Sequence, residues 1–318
     1  MTGRNAELDD FLEVLTKRLV SVEWSDAHAI RAALAAADVL DLAQEAAELD
    51  DAVDWLVAAV RTTAHFSPAA AFALAGRFTA QRGLATSDED GREVRDVTSA
   101  VTNPTAPDPW TATVPTLFAP GAVVLLDRST GRAVLARRDA LVGEPEGTRR
   151  SGLREAALRT VRLDDTVVTL PEAVTRRTAR DWDLFTSAAA LGLAETALHT
   201  AETYAGERRQ FGSPIGTFAG LRAILAEMRI RVRTVHAMLD GAVAGDLDTA
   251  ELLAQAGRTA VDVCLDAIQV HGGYGYIDEY PVAGLLRDAI SLRARGGGRR
   301  TVLAQVASRR LGKPGGDT

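Results

Sequence analysis

Beyond Pro171 the chain runs in long amphipathic stretches, covering about 179–208, 217–244 and 248–270, with shorter ones near 281–293 and 299–311. Apolar residues recur in each at helical spacing. Gly212-Ser213-Pro214 and His271-Gly272-Gly273 break them cleanly, because glycine and proline do not continue a helix. This half of the chain is therefore expected to be a helical bundle.

The opening of the chain, residues 7 to about 85, also reads as helical. Leu8, Phe11, Leu12, Leu15 and Leu19 share one face, as do Val53, Leu56, Val57 and Val60. Ser67-Pro68 predicts an N-cap followed by proline at the first position of a helix over Ala69–Gly76, with Gly83 punctuating the block. From Thr86 the pattern changes. Residues 86–120 are rich in Ser, Thr, Asp and Pro, and Pro104, Pro107, Pro109, Pro115 and Pro120 block helix. Three β-like runs follow at Ala122–Leu126, Ala133–Ala136 and Asp165–Leu170, the first two joined by Arg128-Ser129-Thr130-Gly131 as a hairpin connection. The expected class is α+β: an N-terminal helical domain over 1–86, a small middle β domain over 87–175, and a C-terminal helical domain over 176–318.

With 47% apolar and 25% charged residues the chain has the makings of a packed core, and its low aromatic share with abundant alanine suits tightly packed helices. A net charge of −7 argues against general nucleic-acid binding. The charge is uneven: Asp38 to Asp54 is acidic, and Arg287 to Lys313 carries seven arginines and a lysine against one aspartate. That tail is either a phosphate- or acid-binding surface or a solvated helix face. A single Cys264 excludes an internal disulfide and reads as apolar filler. No leader-like apolar run opens the sequence and none is long enough to span a bilayer, so a cytoplasmic protein is expected. The five histidines show no metal-ligand spacing. Arg295-Gly-Gly-Gly-Arg-Arg300 reads as an anion nest or a close-packed turn.

Four ordered segments carry chemistry: Glu207-Arg208-Arg209-Gln210-Phe211-Gly212, then Ile215, Phe218, Leu225-Ala226 and Met228, then Gln269-Val-His-Gly-Gly-Tyr-Gly-Tyr276, then Tyr280-Pro281 and Arg287-Asp288-Ala289. Together they resemble the C-terminal helical domain of acyl-CoA dehydrogenases, flavoenzymes that introduce an α,β double bond into a thioester. The resemblance covers about 176–313 well, and implies a C-terminal four-helix bundle. It also implies FAD shared across a subunit interface, with Arg208, Gln210, Phe211, Gln269, Gly272 and Gly273 as the cofactor-binding candidates. An arginine at that point can pair with a pyrophosphate, and glycines let backbone amides approach it.

Against that resemblance stand several departures. The family's Thr-Glu-Pro-x-Ala-Gly-Ser and Lys-x-Trp-Ile-Ser/Thr-Asn stretches are not found between Thr86 and Pro171. Positions that bind flavin nucleotide in relatives hold Gly298 and Arg300, and the position of the catalytic glutamate holds Gly296. Glycine takes no α-proton, although its N–H is expected to be free to donate to a thioester carbonyl. Some relatives carry the glutamate instead on the first long helix of this domain, where this chain has Trp182 between Asp181 and Asp183. An aspartate there, Asp183, is the candidate base; the other reading is a charge that complements a helix N-terminus.

The chain thus resembles the shortened, base-less subunit of heteromeric actinobacterial acyl-CoA dehydrogenases. The resemblance implies a heterotetramer in which it completes the FAD site of a homologous subunit carrying the glutamate. The implied substrate is an acyl-CoA or acyl-carrier thioester, with no nucleic-acid or membrane partner. Two alternatives stand beside this: a self-sufficient homo-oligomer using Asp183, and a non-enzymatic scaffold or acyl-binding protein without flavin.

Overall fold

The computed structural model describes residues 2–45, 53–85, 96–103, 106, 110–137, 141–142, 151–163 and 167–312. Pro104, Pro107, Pro109, Asp165, Thr166, Lys313 and residues 46–52 of the acidic stretch lie outside the described residues.

Among the described residues the chain opens with the helices α1 (Thr2–Leu19), α2 (Ala27–Ala36), α3 (Leu42–Glu45), α4 (Val53–Phe66) and α5 (Pro68–Ala85). Ser67 caps α5 as its sequence requires, its Oγ accepting from the Ala70 N–H at 3.1 Å. The helix runs through Gly76 and Gly83 and ends at Ala85, where the helical block was expected to end. A Cβ at Gly76 would stand 2.7 Å from Thr98 Oγ1, and one at Gly83 2.5 Å from Thr178 Oγ1. Both glycines are there for close packing against a strand and a helix.

Among the described residues the strands that follow are β1 (Val97–Val101), β2 (Thr111–Pro115), β3 (Ala122–Asp127), β4 (Arg132–Arg137), β5 (Leu141–Val142), β6 (Leu158–Leu163) and β7 (Val168–Thr169). One sheet has the order β1-β3-β4-β7, with β1 and β3 parallel; a second has β2-β6-β5. The expected β3–β4 hairpin forms, with Asp127 opposite Arg132. Strands β1, β2 and β6 fall where sequence patterning indicated loop or nothing. The third expected run is reduced to β7 within the described residues.

The last part is α6 (Glu172–Glu207), α7 (Ala219–Ala244), α8 (Thr249–His271), α9 (Val282–Arg295) and α10 (Arg299–Leu311). Helices α6 to α9 pack on one another, and α10 lies against α8. A Cβ at Gly192 of α6 would meet the Arg61 carbonyl oxygen at 2.4 Å, which brings α4 onto the bundle. One apolar core runs from Leu15 through Phe72, Phe185 and Cys264 to Leu292, and so spans both helical regions. Among the described residues no helix is long and apolar enough to cross a membrane.

Candidate functional site

Helix α6 ends at Arg208, whose N–H bonds to the Tyr204 carbonyl at 2.9 Å. The next residues form a two-residue hairpin, β8 (Arg209–Gln210) against β9 (Ser213–Pro214). Its turn is Phe211-Gly212, with φ of 50° and 82°. Positive φ at both positions is what a type I′ hairpin turn requires; glycine meets it freely and phenylalanine does so under strain. The strained residue is also the most exposed large apolar side chain among the described residues, at 94%. Strain held at an exposed aromatic tip points to a contact outside the chain. Gln210 is exposed beside it, its Nε2 donating to the Arg209 carbonyl at 2.9 Å.

Helix α8 ends beside this hairpin. Gly272 has φ 60° and its N–H returns to the Gln269 carbonyl, closing the helix. Gly272 and Gly273 are both exposed, and a Cβ at either would meet nothing within 4 Å, so their backbone is open to a ligand. The Gln269 side chain is exposed one turn earlier. An aromatic cluster ties the two helix ends together. Arg208 lies over the Tyr274 ring at 5.1 Å, His271 stacks on Tyr204 at 4.1 Å, and Tyr280 meets both rings edge-on. Burial lowers the His271 pKa, which favours the neutral ring. The Ala267 carbonyl at 2.7 Å can only accept, so Nδ1 carries the hydrogen. Arg208 and the Gly272-Gly273 turn, far apart in sequence, thus share one face. An arginine stacked on tyrosine and without a carboxylate partner among the described residues, beside open glycine backbone, fits an anionic nucleotide.

The interior presents the opposite picture. Trp182 is 1% exposed, packs edge-on against Phe72, and donates its indole Nε1–H to the Gly296 carbonyl at 2.9 Å. The Gly296 N–H, expected to be free for a thioester, is donated to the Leu292 carbonyl at 2.8 Å because it closes α9. Asp183 is 1% exposed. Its Oδ1 pairs with Arg128 and its Oδ2 accepts from Thr249 Oγ1 at 3.2 Å. Burial pushes its pKa up, against the downward pull of the Arg128 guanidinium. Asp181 is likewise buried against Arg82, 2.9 Å away. Neither aspartate complements a helix N-terminus, because α6 begins at Glu172, more than two turns earlier. Both carboxyl groups are locked by buried arginines.

Arg128 is the residue that sequence reasoning missed. It sits in the turn between β3 and β4, where the Asp127 carboxylate accepts from Ser129 N and Oγ at 2.8 and 2.6 Å and from Thr130 Oγ1 at 2.6 Å. Gly131, with φ 69°, completes the turn. From it the guanidinium reaches Asp183 and Gln305, the latter at 2.7 Å. A Cβ at Gly297 would stand 2.6 Å from Arg128 Nε, so the Gly296–Gly298 run is a close-packed turn around this arginine. Gly298 caps α10, and Arg300 is exposed on it. Among the described residues no His, Cys, Asp and Glu side chains gather as they would around a metal ion.

Comparison with known proteins follows this division. The family model of the acyl-CoA dehydrogenase C-terminal domain matches residues 184–311. The 3-sulfinopropanoyl-CoA desulfinase of Paraburkholderia xenovorans is 36% identical over 130 residues, which is 39% of this chain and 34% of that protein. The chain thus matches only about a third of the length of the curated relatives. Butyryl-CoA dehydrogenase from Megasphaera elsdenii superposes with a TM-score of 0.68 at 20% identity, covering 96% of this chain and 98% of that one. A variant of the Tcur3481-Tcur3483 steroid ACAD superposes with a TM-score of 0.73 at 21% identity, covering 96% and 97%. The sequence likeness lies in the last helices, where residues 184–311 form an acyl-CoA dehydrogenase C-terminal domain, and the fold of the acyl-CoA dehydrogenases extends over the rest of the chain.

Proposed function

We propose that this chain is a subunit of an acyl-thioester α,β-dehydrogenase, and that it completes the FAD site of a homologous partner which carries the glutamate base. The Trp182–Gly296 hydrogen bond carries the proposal. These are the two positions at which relatives place the base; here neither is a carboxylate, and each closes off the other. Asp183, held by Arg128 and Thr249, has no oxygen directed to a substrate. The exposed face, by contrast, keeps what such a subunit would lend.

FAD, when bound there, supplies the acceptor for the substrate's β-hydride. Arg208 pairs with its pyrophosphate, Phe211 packs on an aromatic ring of the nucleotide, and Gln210 and Gln269 offer amide hydrogen bonds. The Gly272 and Gly273 backbone lets the nucleotide approach closely. The partner contributes the ring-facing contacts and the base. The Tcur3481-Tcur3483 steroid ACAD, which shares this fold, supports a two-component arrangement of this kind. A scaffold without flavin is disfavoured by the strained, exposed Phe211 tip.

The test is to purify the chain alone and together with a full-length homologue that carries the glutamate, then record size and visible absorbance. Alone, the chain should hold far less than one flavin; the pair should elute together, yellow, and turn over acyl-CoA in the presence of an electron acceptor. Full flavin occupancy in the isolated chain, with turnover abolished by Asp183→Asn, would establish the self-sufficient reading instead.

A further inference from the structure

The outer sides of α6 and α7 enclose a groove of about 500 Å3 whose lining includes none of the Arg208-face residues. Two charged clasps bracket it. At one end Arg61 of α4 donates to both Glu195 oxygens at 2.8 and 2.7 Å and contacts His236 Nε2 at 3.0 Å. His236 Nδ1 in turn faces Asp240 at 3.2 Å. At the other end Arg229 donates twice to Glu202, at 3.2 and 2.7 Å. Glu195 and Glu202 are two helical turns apart, as are Arg229 and His236, so the clasps lie about 10 Å from each other along antiparallel helices.

That register fixes what lies between them. Leu198 and Val232, both buried, form an apolar floor. Arg233 and His199 stand at the middle of the two walls. Among the described residues Arg233 is the lining cation with neither ion pair nor hydrogen bond, whereas Arg229 is committed to Glu202.

We propose that this groove binds a small amphipathic carboxylate, with its anionic head on Arg233 and its apolar body on Leu198 and Val232. The volume lies within the range of small-molecule sites. The clasps leave room for a compact ligand rather than for a partner helix. Glu195, Glu202 and Asp240 also line the groove, and like-charge repulsion disfavours a dianion more than a monoanion, which favours a carboxylate over phosphate.

Octanoate, below its micelle-forming concentration, is the probe. Titrated calorimetrically into the full chain, it should bind saturably, whereas octylamine and inorganic phosphate should not. Arg233→Gln should weaken octanoate on the order of tenfold or more, as loss of a charged hydrogen bond does. Arg222→Gln, at an exposed arginine elsewhere on α7, should leave it unchanged. Thermal melts of both variants should match the parent, because neither side chain is buried. Absence of saturable octanoate binding, equal binding by Arg233→Gln, or equal binding of octylamine would each overturn the proposal.

Discussion

The indole N–H of Trp182 reaches the Gly296 carbonyl at 2.9 Å across 114 positions of sequence. By the resemblance to acyl-CoA dehydrogenases these are the two positions expected to carry a catalytic carboxylate, and here a buried indole bonded to a backbone carbonyl joins them. A base added at one position would meet the residue now occupying the other.

Gly296→Glu should therefore fail to create an active enzyme. Its Cβ would stand 3.0 Å from Thr186 Cγ2 and 3.1 Å from the Leu292 carbonyl oxygen, so the new side chain starts in a crowded place. We expect no acyl-CoA-dependent reduction of an acceptor dye by this variant alone, together with a lowered melting temperature. Turnover by the purified variant would show that the interior accepts a substrate after all.

Arg208→Ala should loosen flavin in the assembled complex by about 1.5–3 kcal/mol, the loss of a charged hydrogen bond to pyrophosphate. Within the chain it removes the stacking on Tyr274, an interaction at the surface, so the melting temperature of the isolated chain should hardly move. Flavin retention during dialysis measures the effect. An unchanged affinity would take Arg208 out of the site.

The Arg128–Asp183 pair lends itself to a double-mutant cycle. Removing Arg128 alone, as Arg128→Met, leaves a buried carboxylate without its partner, at a cost of about 3–5 kcal/mol. Arg128→Met combined with Asp183→Leu should cost clearly less than the sum of the single changes, since both charges are then gone. Urea denaturation reads all four corners, and simple additivity would mean that the pair is not coupled.

Asp288 gives the stability a defined pH dependence. Burial pushes its carboxyl up to about 6 from an ordinary 3.8, against the pull of the Leu153 N–H, which donates to it at 2.7 Å. Between those two values the folded chain holds a proton that the unfolded chain has released. The Asp288 contribution is thus fully present below pH 4 and is lost as the pH rises through 6, amounting to about 3 kcal/mol at about 1.4 kcal/mol per pH unit. Asp288→Asn should remove this term, which melting temperatures of the two proteins from pH 4 to pH 7 would reveal as diverging slopes.

The helices of the last 140 residues were legible because an amphipathic period and its glycine and proline breaks are local properties. The stacked, turn-bearing ends of α6 and α8 could be located for the same reason. Strands β1, β2 and β6 were not legible: Val97-Thr-Ser-Ala-Val101 is short, polar in part, and becomes a strand by pairing with β3. The helical block ends at Ala85, close to where the sequence indicated, but the packing role of Gly83 was not legible, since a glycine near a helix end and one that admits a neighbouring helix look alike until the neighbour is known.

By itself the sequence determined the order of helical and β regions, the superfamily of the last helices, and the absence of a carboxylate at Gly296 and Trp182. These follow from residue identity and spacing. Only the tertiary structure decided what became of the emptied interior: that Trp182 closes onto Gly296, and that Arg128 enters from a β-turn to hold Asp183 and Gln305. The partners of these buried groups lie 55 to 177 positions away. No local period encodes such a distance; the need to pair each buried charge and polar group does, and it is met only when the chain is packed.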